Sequence, residues 1–361
     1  MLHHSGIGVY LQGLLEGMCL HGDAPHFVFY GPQKFRWQVP ERLCELYVLR
    51  NHSIYTIKEQ VLFPGMLRFY PLFHAPHYNI PLRFRGQLVV TIHDLNHLVY
   101  PQNLGSCLHR FYARFMFKEA TARAAHIIAV SEKTREDLME RLGVPSERIT
   151  VIHQAVSPGF RPCENPEELK TFREKHKIPE RYLLAVGINK PHKNYPFLLS
   201  GLKELWLSKK TDIPLVIAGL DPGGITELGN LAKNGKIESY VHLVGRFSRN
   251  QAPLIYAGAE ALVFPSLYEG FGLPPLEAMK TGVPVAASKI PPMPEVIGDA
   301  ALFFDPQSGG ELKDAILKIV LDSSLRRNLI EKGKTNLGRF DWKETARKTI
   351  EVYTKTFERE R

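Results

Sequence analysis

The run Pro265-Ser266-Leu267-Tyr268-Glu269-Gly270-Phe271-Gly272-Leu273-Pro274-Pro275-Leu276-Glu277 sets two carboxylates on either side of a turn rich in glycine and proline. The apolar residues Ala261–Phe264 just before it read as a buried strand. Gly270 and Gly272 let a ligand approach the backbone, and Pro274 and Pro275 suit the first turn of a helix that Gly282 closes. A helix start of this kind holds an anion through its N–H groups and dipole, while Glu269 and Glu277 can accept hydrogen bonds from the hydroxyls of a sugar and a ribose. Phosphate joined to polyol is what a nucleotide sugar offers. The competing reading makes Glu277 a stabiliser of its own helix and Glu269 a solvated loop residue.

Further candidates are single residues. Lys193, in the turn Pro191-His192-Lys193-Asn194, reads on its own as a surface lysine. His93 ends the apolar run Leu88–Ile92, at the end of a strand where open α/β sheets put ligand contacts; alternatively it is a structural hydrogen-bonding partner of Asp94. Gly6 and Gly8 precede a helical pattern, so their backbone could reach a diphosphate, although a lone Gly-x-Gly is a weak signal. Arg246, after Val241–Val244, could assist a phosphate or merely solvate its loop. The remaining histidines of residues 1–160 have no metal-ligand spacing and read as ordinary or surface positions. Cys19, Cys44, Cys107 and Cys163 suggest neither a zinc site nor a disulfide framework.

These residues need a scaffold, and the chain alternates short apolar runs with helical patterns, the signature of parallel sheets covered by helices. The first half offers a helix from Val9 to about Leu20 and strands at Phe27–Tyr30, Leu88–Ile92 and His126–Val130. Ser131 then caps a helix that Gly143 ends. The second half offers strands at Tyr182–Val186, Leu215–Ala218, Val241–Val244, Ala261–Phe264 and Val285–Ala287. Pro158, Gly159 and Pro162 mark a linker within Val156–Pro179, and the expected domains are residues 1–165 and 166–341. A Rossmann-like half should open with a strand feeding its first turn. This chain opens directly on Ser5-Gly6-Ile7-Gly8, so the expectation is that its first strand is missing and its start truncated or mis-assigned.

A length of 361 residues suits two cores, and 44% apolar with 23% charged residues belongs to a globular protein. The N-terminus lacks the basic cap and apolar run of a secretory signal, and no stretch approaches about 18 apolar residues. A cytoplasmic protein is expected. The net charge of +9 leaves nucleic acid, an anionic membrane surface or an anionic small substrate open. Residues 27–126 hold 12 Lys/Arg against 5 Asp/Glu, interleaved with aromatics at Arg36-Trp37, Arg68-Phe69-Tyr70, Arg83-Phe84-Arg85 and Arg110 through Lys118. No nucleic-acid recognition module accompanies them. The stretch His109–Arg123 could dock on anionic lipid from the cytoplasmic side, or be a helix with its aromatics packed inward and its arginines solvated.

Glu269-Gly-Phe-Gly-Leu-Pro-Pro-Leu-Glu277 resembles the Glu-x7-Glu motif of glycosyltransferase family 4. Gly6-Ile7-Gly8, Val90-Thr91-Ile92-His93-Asp94-Leu95, Ala129-Val130-Ser131-Glu132, Ala185-Val186-Gly187 with Lys193-Asn194, and Pro284 through Asp305 extend the resemblance over nearly the whole chain. The resemblance implies a GT-B fold of two Rossmann-like domains facing across a cleft. The N-terminal domain would receive the acceptor, the C-terminal one would bind the nucleotide-diphosphate sugar, and the last helix, Trp342 to about Phe357, would cross back to the N-terminal domain. It implies that Glu277 binds ribose and that Glu269 contacts the transferred sugar, with the amides of Phe271, Gly272 and Leu273 assisting. Lys193 would bind the diphosphate and His93 line the sugar. The implied activity is transfer of a hexose, mannose as a family-level guess, to a glycan or lipid-linked acceptor with retention. It needs no metal, and the chain contains no Asp-x-Asp. His192 stands where related sequences often carry Arg, which bears on the strength of the phosphate clamp. A sugar-nucleotide epimerase, a phosphorylase, or an inactive nucleotide-sugar-binding protein are the other readings of such a fold.

Overall fold

The structure, a computed structural model, describes residues 6–21, 27–31, 44–48, 60, 67 and 69–358. Ser5, and Arg36, Trp37 and Arg68 of the basic and aromatic surface, lie outside them. The chain divides into two compact units, Met1–Ala155 with Phe340–Arg361, and Val156–Arg339.

In the first unit, β1 (Phe27–Gly31) and β2 (Cys44–Val48) form a parallel pair. β3 (Leu72–Ala75), β4 (Gln87–Ile92), β5 (His126–Ala129) and β6 (Ile149–Val151) form a separate parallel sheet in that order. Leu88, Val90 and Ile92 of β4 pack with Ile127 of β5 against Ala113, Met116 and Phe117 of the Cys107–Arg123 helix. Ser131 Oγ accepts from Thr134 N at 3.1 Å, and Gly143 closes the Glu132–Leu142 helix at φ 63°, as the capping pattern implied.

The Gly6–Cys19 helix contradicts the expected turn at Gly6-Ile7-Gly8: both glycines lie in the helix's first turn and neither has a positive φ. Glycine serves this helix on another face. A Cβ on Gly13 would fall 2.0 Å from the Trp342 ring, and one on Gly17 2.1 Å from the Trp342 carbonyl oxygen. Close approach there lets the Trp342–Glu358 helix lie against Gly6–Cys19, within the first unit. His153 O accepts from Thr345 Oγ1 at 2.8 Å and fixes the register of that final helix.

The second unit contains β7 (Leu183–Val186), β8 (Leu215–Leu220), β9 (Val241–Gly245), β10 (Ala261–Phe264), β11 (Val285–Ser288) and β12 (Ala301–Phe304). All are parallel, in the spatial order β12-β11-β10-β7-β8-β9. Counted from the unit's first strand this is the doubly wound order 3-2-1-4-5-6, in which the winding reverses between strands one and four, here β7 and β10. Leu183, Leu215 and Val263 are fully buried from the sheet, and Leu198, Leu202, Leu312 and Ile316 cover them from the Tyr195–Leu207 and Gly309–Leu321 helices. At about 1.5–3 kcal/mol per buried aliphatic side chain, this face stabilises the unit and holds the strand ends in place. The stretch expected to be an unstructured linker contains a helix, Pro166–His176, started by Pro166 and capped by Asn165 Oδ1, which accepts from Glu167 N and Glu168 N.

Candidate active site

In the second unit, ligand-contacting loops are expected beyond the C-terminal ends of β7 and β10. The chain leaves β7 through Gly187, whose φ of 137° excludes most side chains. A Cβ there would stand 3.4 Å from Lys193 Cε, so the absence of one leaves a bed for the lysine stem. The Pro191–Lys193 turn ends at Asn194 in the left-handed conformation, φ 57°, which Asn tolerates better than most residues. Leu267 N donates to His192 O at 2.7 Å and ties this turn to the loop after β10. Lys193 Nζ then donates to Glu269 Oε1 at 2.6 Å, 76 residues away in sequence, with each side chain 14% exposed. The ammonium also lies 5.2 Å from the centre of the Phe264 ring.

The loop turns into the Leu273–Lys280 helix at Gly272, φ 95°. A Cβ on Gly272 would meet Met293 Cε at 2.4 Å, so conformation and packing both call for glycine. Pro274 and Pro275 carry no N–H, so the N–H groups this helix start can offer an anion are those of the loop through Leu273. Glu277 sits one turn into the helix, and its Oε2 accepts from the buried Tyr256 hydroxyl at 2.6 Å. Burial and the neighbouring Glu277 carboxylate push the Tyr256 phenol well above its ordinary range, so it stays a donor. Burial, aided by Glu269, does the same to Tyr195, whose hydroxyl donates to Gly187 O at 3.2 Å. Arg246 is exposed and follows β9, at the edge of the sheet.

Gly6, Gly8 and His93 belong to the first unit. His93 follows β4. Its Nε2 lies 3.1 Å from Pro76 O, an acceptor only, so that nitrogen carries the proton; Nδ1 then accepts from Gln154 Nε2 at 3.4 Å. Burial lowers its pKa to about 4, partly opposed by the Pro76 carbonyl, and the ring is neutral. Asp94 Oδ1 accepts from Asn96 N at 2.8 Å, an interaction that shapes the following turn. The histidines read as ordinary or surface positions include a correction. His74 bridges Thr91 Oγ1, 2.7 Å from Nε2, and the Tyr353 hydroxyl, 2.5 Å from Nδ1, while the Tyr10 hydroxyl meets Thr91 Oγ1 at 3.0 Å. Burial and the nearby His93 lower both His74 and His77 to about 3. Only the placement of His74 on a strand beside β4, which no sequence spacing reveals, brings these groups together.

A doubly wound sheet that joins a lysine and a glutamate at its switch point, beside a glycine-led helix start, defines a GT-B glycosyltransferase once the relatives are considered. Residues 5–160 match the family described as Glycosyltransferase Family 4, and residues 168–336 that described as Glycosyl transferases group 1. The chain is 30% identical to O-antigen chain mannosyltransferase B of Escherichia coli over 283 residues, 78% of this chain and 74% of that one. It is 32% identical to O-antigen chain mannosyltransferase RfbU of Salmonella typhimurium over 243 residues, 67% of this chain and 63% of that one, so it spans under two thirds of RfbU. HepE of Anabaena, solved with UDP and glucose, shares the fold at a TM-score of 0.75 and 17% identity, covering 97% of this chain and 96% of that one. The chain belongs to glycosyltransferase family 4, and its activity is glycosyl transfer. Among the described residues no helix is long and apolar enough to cross a membrane.

Proposed function

We propose that this glycosyltransferase moves mannose from a nucleotide-diphosphate sugar, with GDP-mannose the first donor to test, to a glycan or lipid-linked acceptor. The anomeric configuration is retained and no divalent metal is needed. The observation that carries this reading is the 2.6 Å contact between Lys193 and Glu269 at the β7/β10 switch point. An ammonium has three donors, and Glu269 takes one, leaving two for the oxygens of a departing diphosphate. In this reading the lysine supplies the positive charge that a metal supplies elsewhere, and the amides near Gly272 add to it. Glu277, its carboxylate fixed by the Tyr256 hydroxyl at Oε2, is assigned the ribose hydroxyls. Glu269 orients the sugar as it flattens toward an oxocarbenium ion. His93 is assigned no nucleophilic role, and Arg246 an auxiliary phosphate contact. The departing phosphate accepts the proton of the incoming hydroxyl, so the new bond forms on the face the leaving group vacates.

Mannose as the sugar is favoured by the names of both bacterial relatives, and a nucleotide-sugar donor by the UDP and glucose of the Anabaena structure. A thermal-shift panel of nucleotide sugars tests the donor, since a ligand that binds the folded state raises its melting point. Turnover of the best donor is then followed with and without acceptor and with EDTA, and the anomeric proton of the product is read by NMR. Donor interconversion without acceptor would indicate an epimerase and a requirement for inorganic phosphate a phosphorylase. An inverted product, or activity abolished by EDTA and restored by metal, would overturn the mechanism.

A further inference from the structure

The Cys107–Arg123 helix buries Ala113, Met116, Phe117 and Ala120 against the first unit's sheet, yet three large apolar side chains of the same helix face water. Leu108 is 75% exposed, Phe111 71% and Phe115 40%. At 3.6 residues per turn these three fall within about 60° of one another, forming one stripe on the side away from the core. Exposed Arg110, Arg114 and Lys118, four residues apart, run beside the stripe as a second row, and Glu119 is the only acidic residue on the helix. The basic surface continues past the helix end. The Arg123 guanidinium donates to the carbonyls of Leu82 and Phe84, which holds exposed Arg83 and Arg85 beside the last turn.

We infer that this outward face docks on an anionic lipid bilayer. An apolar stripe alone would fit a groove on another protein equally well. A parallel row of uncompensated cations along it fits a plane of negative charge, with the phenyl rings entering the acyl boundary and the guanidinium groups staying among the headgroups. The helix would lie in the membrane plane, about 25 Å of it in contact for 17 residues. This site is separate from the residues assigned to the donor, and its test does not depend on which sugar is transferred.

The full chain is floated with vesicles of pure phosphatidylcholine and with vesicles rich in phosphatidylglycerol. Binding is expected to the second only and to be released by high salt. Each basic side chain contributes roughly fivefold, so the R110S/R114S/K118S variant should bind more than about a hundredfold more weakly. The F111S/F115S variant should lose binding while still unfolding in one cooperative transition, its melting temperature lowered only by the covered part of Phe115. A tryptophan placed by F111W should shift its emission to the blue with the anionic vesicles. No binding to the anionic vesicles, or unchanged binding by both multiple variants, overturns the inference. So does a solution dimer that F111S/F115S dissolves, since that would make a second copy the occupant.

Discussion

Replacing Lys193 with Ala separates a catalytic lysine from a structural one. The ammonium contacts Glu269 at 2.6 Å in a site where both side chains are 14% exposed. A diphosphate oxygen about 4 Å from that charge, at an effective dielectric near 20, interacts with it by about 4 kcal/mol. Part of this is present in the bound donor and cancels. The part that grows as the leaving group gains charge sets the rate, and removing one such preorganised donor typically costs about 10²–10³ in kcat. Lys193→Ala should therefore lower kcat by at least about a hundredfold, with the donor KM changing less than about tenfold. It also strips Glu269 of its partner, which should cost about 1–3 kcal/mol of stability. Adding Glu269→Gln removes the stranded charge, so the double variant should recover stability without recovering turnover. Nucleoside diphosphate release at saturating acceptor gives kcat and KM, and urea unfolding gives the stability. Wild-type kcat in the single variant, or turnover restored in the double, would show that the lysine only neutralises Glu269.

Tyr256→Phe deletes the 2.6 Å hydrogen bond that fixes Glu277, so donor KM should rise by about tenfold with kcat nearly constant; an equal fall in kcat would place the tyrosine's effect in the transition state instead. Gly272→Ala forces a Cβ into φ 95° and against Met293, and should cost about 1–3 kcal/mol in urea unfolding together with most activity; an unperturbed midpoint would contradict the strain. His74, His77 and His93 have folded pKa values near 3, 3 and 4, below the unfolded value of about 6.5. Between those limits the unfolded chain binds more protons, so stability is full above about pH 6.5 and falls as pH drops. The slope is up to about 1.4 kcal/mol per pH unit for each histidine, and a stability that stays flat from pH 7 to 5 would refute their burial as neutral rings.

Much of the fold is visible in the chain because its signals are local. Ser131 and Gly143 bracket a helix through their own capping chemistry, and the runs Leu215–Ala218 and Ala261–Phe264 are apolar throughout, as strands covered on both faces must be. What escapes is short or set by partners. Leu72–Ala75 and Ile149–Val151 are strands because β4 and β5 supply hydrogen bonds, and neither is long enough to show a period of its own. Gly6-Ile7-Gly8 reads as a turn on composition alone. It is helical because the following residues, with Gly13 and Gly17 pressed on Trp342, give that segment a tertiary surface that outweighs the glycine penalty.

The site shows the same division. Glu269, Gly272 and Glu277 lie in one short segment whose glycines and prolines announce a strand-to-helix turn, and residue types suffice to propose an anion there. Lys193 carries no such announcement. It meets Glu269 because β10 returns beside β7 after β8 and β9 have been laid on the other side, a consequence of strand order that side-chain spacing along 76 residues cannot encode. The same return positions Leu267 N on His192 O, so the backbone and the ion pair report one event. A sheet that wound in one direction only would leave the lysine and the carboxylate at separate loops. The chemistry proposed for this enzyme therefore rests on the reversal at β7 and β10 as much as on the acidic motif.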